Sequence, residues 1–181
     1  MRARRIMLGV AVVAAAVGLT VIGWDFLQLG RKAPDPAPAF KRVTLIVVEK
    51  SARRMTLLRD GLVLGWYTVA LGSAPSGHKQ QEGDGRTPEG AYAIDFKNAR
   101  SRFHLALRIS YPNAADRASA QRRGVAPGSD IMIHGLPNGL GWLAGLHLWR
   151  DWTDGCVAVT DAQIDEMWPL VDVGTAVEIK P

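Results

Sequence analysis

The chain has 181 residues, of which 48% are apolar and 22% charged, and a net charge of +5. That length suits one domain with a sizeable core and is short for two ordinary ones. Arg2, Arg4 and Arg5 carry three of the positive charges, and the mildly basic remainder has no Lys/Arg stripe of the kind that marks a nucleic-acid face.

The N-terminal arginines are followed by an almost unbroken apolar run from Ile6 to Trp24. Such a run is long enough to cross a hydrocarbon layer of roughly 30 Å as a helix. Arginines ahead of it keep the N-terminus in the cytoplasm and export the rest. Residues 1–30 therefore read as a membrane anchor or signal segment. The uncleaved anchor is preferred, because no clear small-residue cleavage site follows the run. Residues 31–41 form a linker in which Pro34, Pro36 and Pro38 favour an extended spacer. A single folded domain is expected over 42–181.

Val43–Val48 is apolar and β-branched, the pattern of a buried strand. Arg54–Leu58 and Leu62–Leu71 flank Asp60-Gly61, a two-residue hairpin signal. A loop rich in Gly, Ser and Gln spans 73–86, and Gly83 to Gly90 closes it as a run of turns before a strand at Ala91–Asp95. His104–Ile109 alternates as a strand does. Asn113 caps a helix that runs to Arg123 and stops at Gly124. Ile131–Ile133 is a strand ending at His134, and Val157–Val159 is another. Thr160 with Gln163 makes a capping box for a short helix through about Leu170, and Val177–Ile179 is the last strand. The sum is a mainly β domain with two short helices, a β-sandwich or half-barrel rather than a βαβ fold.

Cys156 is the only cysteine, and in an exported chain a lone cysteine is an intermolecular pair, a reactive thiol or a buried, inert residue, a choice that the flanking residues bear on. A thiol attacks carbonyls as the thiolate, so its site must lower its pKa or supply a base. His134, 22 residues upstream and also beside a glycine, is the candidate base. Gly155 permits a tight turn and close approach of a substrate. The amides of Gly155 and Cys156 are candidate donors to an oxyanion. Together these are parts for acyl transfer. His78, His104 and His147 read as ordinary surface or loop residues, with no zinc spacing, so no metal or cofactor is expected. Trp142, Trp149 and Trp152 could form a stacking lid or simply pack a long loop. Arg86 and Glu89 read as turn stabilisers, and Arg100, Arg102 and Arg108 as a solvated face. Tyr111, just after a strand, is placed at the cleft.

His134-Gly135 followed by Thr153-Asp154-Gly155-Cys156-Val157 resembles the signature of the YkuD-type L,D-transpeptidase domain. The segment Gly83-Asp84-Gly85-Arg86-Thr87-Pro88-Glu89-Gly90-Ala91-Tyr92 is similar to the same family's upstream motif. The likeness covers roughly 42–180. It implies work on peptidoglycan stem peptides in the periplasm or cell envelope. Cys156 would form a thioester as D-Ala leaves, and an amine on another stem or on a wall-attached protein would resolve it. It also implies that His134 is base and later acid, that Gly155 and Cys156 donate to the oxyanion, and that Gly135 offers its carbonyl to orient the imidazole. Asp154 replaces the family's usual histidine before Gly-Cys, which bears on substrate choice. Thr153, Asp154, Trp152 and Tyr111 are the substrate-binding candidates. The alternatives are water as acceptor, giving an L,D-carboxypeptidase or a hydrolase that frees wall-linked protein, and a non-catalytic wall-binding module. A papain-like protease lacks support in the local cysteine context and histidine order.

Overall fold

The computed structural model describes residues 32–181, so the expected anchor at 1–30 lies outside the described residues. No helix among the described residues is long and apolar enough to cross a membrane. Eight strands carry the fold: β1 (Leu45–Glu49), β2 (Arg54–Arg59), β3 (Leu62–Thr68), β4 (Gly90–Ser101), β5 (His104–Ile109), β6 (Met132–His134), β7 (Val157–Ala158) and β8 (Ala176–Lys180). Two α-helices join them, α1 (Ala114–Arg123) and α2 (Asp161–Met167), with 3-10 turns at Ala39–Lys41 and Gly141–Trp149. The second of these turns falls in the apolar stretch read from sequence as loop, and α2 ends three residues before the expected Leu170.

The strands form one sheet in the order β3-β2-β1-β8-β4-β5-β6-β7. Its neighbours pair antiparallel except β1 with β8 and β6 with β7. The architecture is a curled half-barrel rather than two stacked sheets. Beyond β3, Ala70 exchanges hydrogen bonds with Ala158 of β7 at 3.0 and 2.8 Å, which draws the far ends of the sheet together. The concave side fills with Ile46, Val48, Met55, Leu57, Ile94, Leu107, Ile109 and Ile133, all buried. Ile164, Met167 and Trp168 of the α2 region join the same cluster.

Local signals set the helix ends as the sequence indicates. Asn113 accepts from the Asp116 N–H while Asp116 accepts in return, and Gly124 ends α1 at φ 68°. Thr160 and Gln163 make the same reciprocal cap on α2.

The loop from Ser73 to Glu89 is held against the sheet by buried polar groups. Lys50, buried at the end of β1, donates to Glu89 at 2.8 Å and to the Gly77 and Thr87 carbonyls at 2.6 and 3.0 Å. Glu89 thus ties the loop to β1 rather than stabilising only its own turn. The buried Thr87 hydroxyl accepts from the Gly72 N–H at 3.0 Å. Gly72, Gly85 and Gly155 meet backbone to backbone here. A Cβ on Gly72 would lie 2.1 Å from the Gly85 oxygen, and one on Gly155 would lie 2.5 Å from the Arg86 oxygen.

Two losses of stability follow. Lys50→Met strands the partly buried Glu89 carboxylate and should cost about 3 kcal/mol, read from urea unfolding. Gly155→Ala meets backbone at a φ of +130° and should cost at least ~1–3 kcal/mol; a thermal midpoint equal to wild type would show that the turn has room.

Candidate active site

Parallel pairing of β6 with β7 sets Ile133 opposite Val157 and His134 opposite Ala158. The ladder is extended on the next residue when Val159 N–H donates to the His134 carbonyl at 2.9 Å. One step before Val157, Cys156 lies alongside Met132, whose N–H donates to Sγ at 3.4 Å. Alternation along the strands puts Cys156 and His134 on one face of the sheet, with Cα atoms about 8 Å apart at ordinary strand rise and spacing. The fold thus brings together the two residues that the sequence singled out.

His134 is buried, and its Nδ1 lies 2.6 Å from the Gly135 carbonyl. A carbonyl oxygen only accepts, so Nδ1 carries the proton and Nε2 is left as the basic nitrogen. Phe103 and Trp152 hold the ring, with centroids 4.6 and 5.9 Å from it. Burial holds the imidazole below its ordinary pKa; the Gly135 carbonyl opposes this, and neighbouring His147 adds to it. Gly135 has its own constraint: a Cβ there would lie 2.5 Å from Asp161 Oδ1, which accepts from the Leu136 N–H at 2.8 Å.

The Cys156 thiol donates to the Asp130 carbonyl at 3.6 Å. Burial raises its pKa, and Asp154 and Asp130 raise it further; the Met132 N–H and Lys79 pull the other way. Both shifts favour the neutral forms, a thiol and a base, over a thiolate beside an imidazolium.

The turn before the thiol is organised by Thr153. Its buried hydroxyl donates to the Cys156 carbonyl at 2.8 Å and accepts from the Gly155 N–H at 3.1 Å. Two expectations change here. Thr153 is turned to the backbone rather than to a substrate, and the Gly155 N–H is engaged and is not free for an oxyanion. The Cys156 N–H has no partner among the described residues and keeps that capacity. Asp154 is exposed, and its carbonyl lies 3.5 Å from the buried Lys79 ammonium, which pairs with Asp84 at 2.8 Å. Hydrogen bonds from Lys79 and from the Gln80, Arg86 and Gln81 N–H groups hold the Asp84 carboxyl down at about 2, against the opposing effect of burial.

Tyr111, expected at the cleft, is buried instead. Its hydroxyl donates to the Pro127 carbonyl at 2.8 Å, and its ring meets Tyr92 edge to face at 6.1 Å. The other histidines, read as surface or loop residues, are partly exposed and each has a polar partner. His78 accepts from the Glu89 N–H at 2.9 Å and meets Asp116 at 3.1 Å, and His104 meets Asp165 at 2.9 Å. His147 lies against Trp152 inside the site, with the rings 6.0 Å apart. Trp142 and Trp149 are 70% and 86% exposed, so of the three tryptophans only Trp152 contacts the imidazole. No cluster among the described residues could hold a metal ion.

The family model of the YkuD L,D-transpeptidase catalytic domain matches residues 43–179. YafK of Escherichia coli (strain K12) is 32% identical over 111 residues, covering 60% of this chain. The chain spans only 37% of the length of that relative. Among solved structures, Pgp2 of Campylobacter jejuni, a helical cell shape determining protein, superposes with a TM-score of 0.56 at 23% identity, covering 89% of this chain and 56% of that one. Bd1075 of Bdellovibrio bacteriovorus gives 0.54 at 22% identity, over 81% and 51%. These two show a shared fold. The matched domain contains both His134 and Cys156, and the chain belongs to the YkuD family of L,D-transpeptidase catalytic domains.

Proposed function

We propose that this protein performs cysteine-dependent acyl transfer on peptidoglycan stem peptides, as an L,D-transpeptidase. The observation that carries the reading is the Nδ1–H bond from His134 to the Gly135 carbonyl at 2.6 Å, which leaves a basic Nε2 on the sheet face that carries Cys156. Family membership supplies the substrate class.

His134 Nε2 takes the thiol proton, and the Cys156 sulfur forms a bond to the carbonyl carbon of the third stem residue. The oxygen of that carbonyl becomes an oxyanion that accepts from the Cys156 N–H. As the carbonyl re-forms, the C–N bond to D-Ala breaks. The imidazolium protonates the departing amine, leaving a thioester. An acceptor amine then attacks the thioester with His134 again as base, and the thiolate recovers its proton from the imidazolium. The exposed Asp154 carboxylate is suited to the cationic end of a stem diamino acid. Trp152, beside the imidazole, would pack on the stem peptide. The apolar run at 6–24 would hold the domain at the outer face of the inner membrane, within reach of the wall.

The test is mass spectrometry of the products from a disaccharide-tetrapeptide. A D-Ala release and a cross-linked dimer that both vanish in Cys156→Ala would support the reading, and His134→Ala should lose about 10²–10⁴-fold. Tripeptide without dimer would assign water as the acceptor. No adduct and no product would leave a wall-binding module.

Because His134 must be neutral to accept the proton, activity should persist below pH 6.5, the ordinary value for histidine, and fail as pH falls through its depressed value. An acidic limb at or above 6.5 would contradict this.

A further inference from the structure

We propose that His147 is a positioning residue for the catalytic histidine and acts on it through Trp152. The proposal rests on the reading of His134 as the base and goes beyond it by assigning a second histidine to the site.

Trp152 is one of the two rings that hold the imidazole, edge to face at 75°. Its backbone is fixed separately, since the Trp152 and Thr153 N–H groups both donate to the Leu71 carbonyl, at 3.2 and 3.1 Å. Phe103 faces the indole plane with centroids 6.4 Å apart, and rotation within that plane is set by the polar end, where Nε1–H donates to His147 Nδ1 at 3.3 Å. An indole N–H is a donor only, so His147 Nδ1 must be the lone-pair nitrogen and the neutral ring carries its proton on Nε2.

That Nε2 is the one buried side-chain nitrogen or oxygen without a hydrogen-bond partner among the described residues. Leaving a buried donor unmade costs about 1–3 kcal/mol. A surface loop residue has no reason to bear such a cost. A residue that must keep Nδ1 for Trp152 does, because satisfying Nε2 by rotating the ring would release the indole. The 3-10 segment that delivers His147 is itself kinked at Ala144, a non-glycine residue at φ 45°.

Charge keeps the arrangement in its neutral form. Burial holds His147 below its ordinary pKa, with Asp161 of α2 opposing. Titratable neighbours of this pair include Asp161 on the side of His147, and Cys156 on the strand next to His134 and on the same face. Protonating Nδ1 of His147 would break the indole bond and bring a cation beside a base that must itself accept a proton.

The test uses the full chain with His147→Phe, which keeps an aromatic ring and removes the acceptor, and His147→Gln, whose side-chain oxygen can accept from the indole. Two readouts are taken: kcat and KM on the disaccharide-tetrapeptide, and the titration of the His134 ring by NMR. In the Phe variant kcat should fall about tenfold with KM within about twofold. Both variants lose the ionisable neighbour that helps hold His134 down, so the Gln variant should move its titration up slightly while keeping wild-type kcat, and the Phe variant should move it further toward 6.5 as water reaches the loosened ring. Equal losses in the two variants, or an unmoved His134 titration in the Phe variant, would overturn the proposal. If the wild-type chain fails to turn over stem peptide, the proposed function falls. The NMR titration then decides the role of His147 by itself.

Discussion

A buried imidazole and a half-buried thiol on one face of a parallel strand pair are the constraint on which the rest of this structure depends. Keeping water away from both raises the thiol and lowers the imidazole. Neither group is then reactive until a substrate carbonyl arrives to make proton transfer worthwhile. The Gly135 carbonyl adds direction, since it fixes which imidazole nitrogen faces the chemistry.

The scaffold around the pair is built from close backbone approaches more than from large side chains. Three glycines, Gly72, Gly85 and Gly155, let the loop after β3, the turn before β4 and the nucleophile turn lie against one another. Thr87 and Thr153 cap the free amides at that junction, and the buried Lys50 and Lys79 neutralise the carboxylates of the same loop. The segment from Gly83 to Gly90 thus serves as the buttress of the cysteine turn, and its resemblance to a family motif has a physical basis in this packing.

What could be read from sequence was what neighbours in the chain determine. Asp60-Gly61 marks a hairpin, and the Asn113/Asp116 and Thr160/Gln163 caps fix helix starts, because each depends on residues at most three apart. The placing of β8 between β1 and β4 carries no local signal, since its paired residues lie 83 to 89 and 131 residues away in the chain. His134 and Cys156 were singled out as strand ends beside glycines, and the sheet places them on one face. Thr153 was misread because a hydroxyl next to a nucleophile looks substrate-facing until its two backbone bonds are seen. Tyr111 was misread because the end of a strand was taken for the rim of a cleft, when the chain there turns into the core. The contact of His147 with the site was not legible, since it depends on one bond to an indole five residues on, in a stretch with neither helical nor strand period.

The central claim is that the resting pair is uncharged, and the difference in thiolate ultraviolet absorbance between wild type and Cys156→Ala as pH is raised tests it most directly. Thiolate should be absent at neutral pH and appear only above 9.0, the ordinary value for this group. A full equivalent of thiolate at neutral pH would mean a preformed ion pair with His134 and would contradict the account.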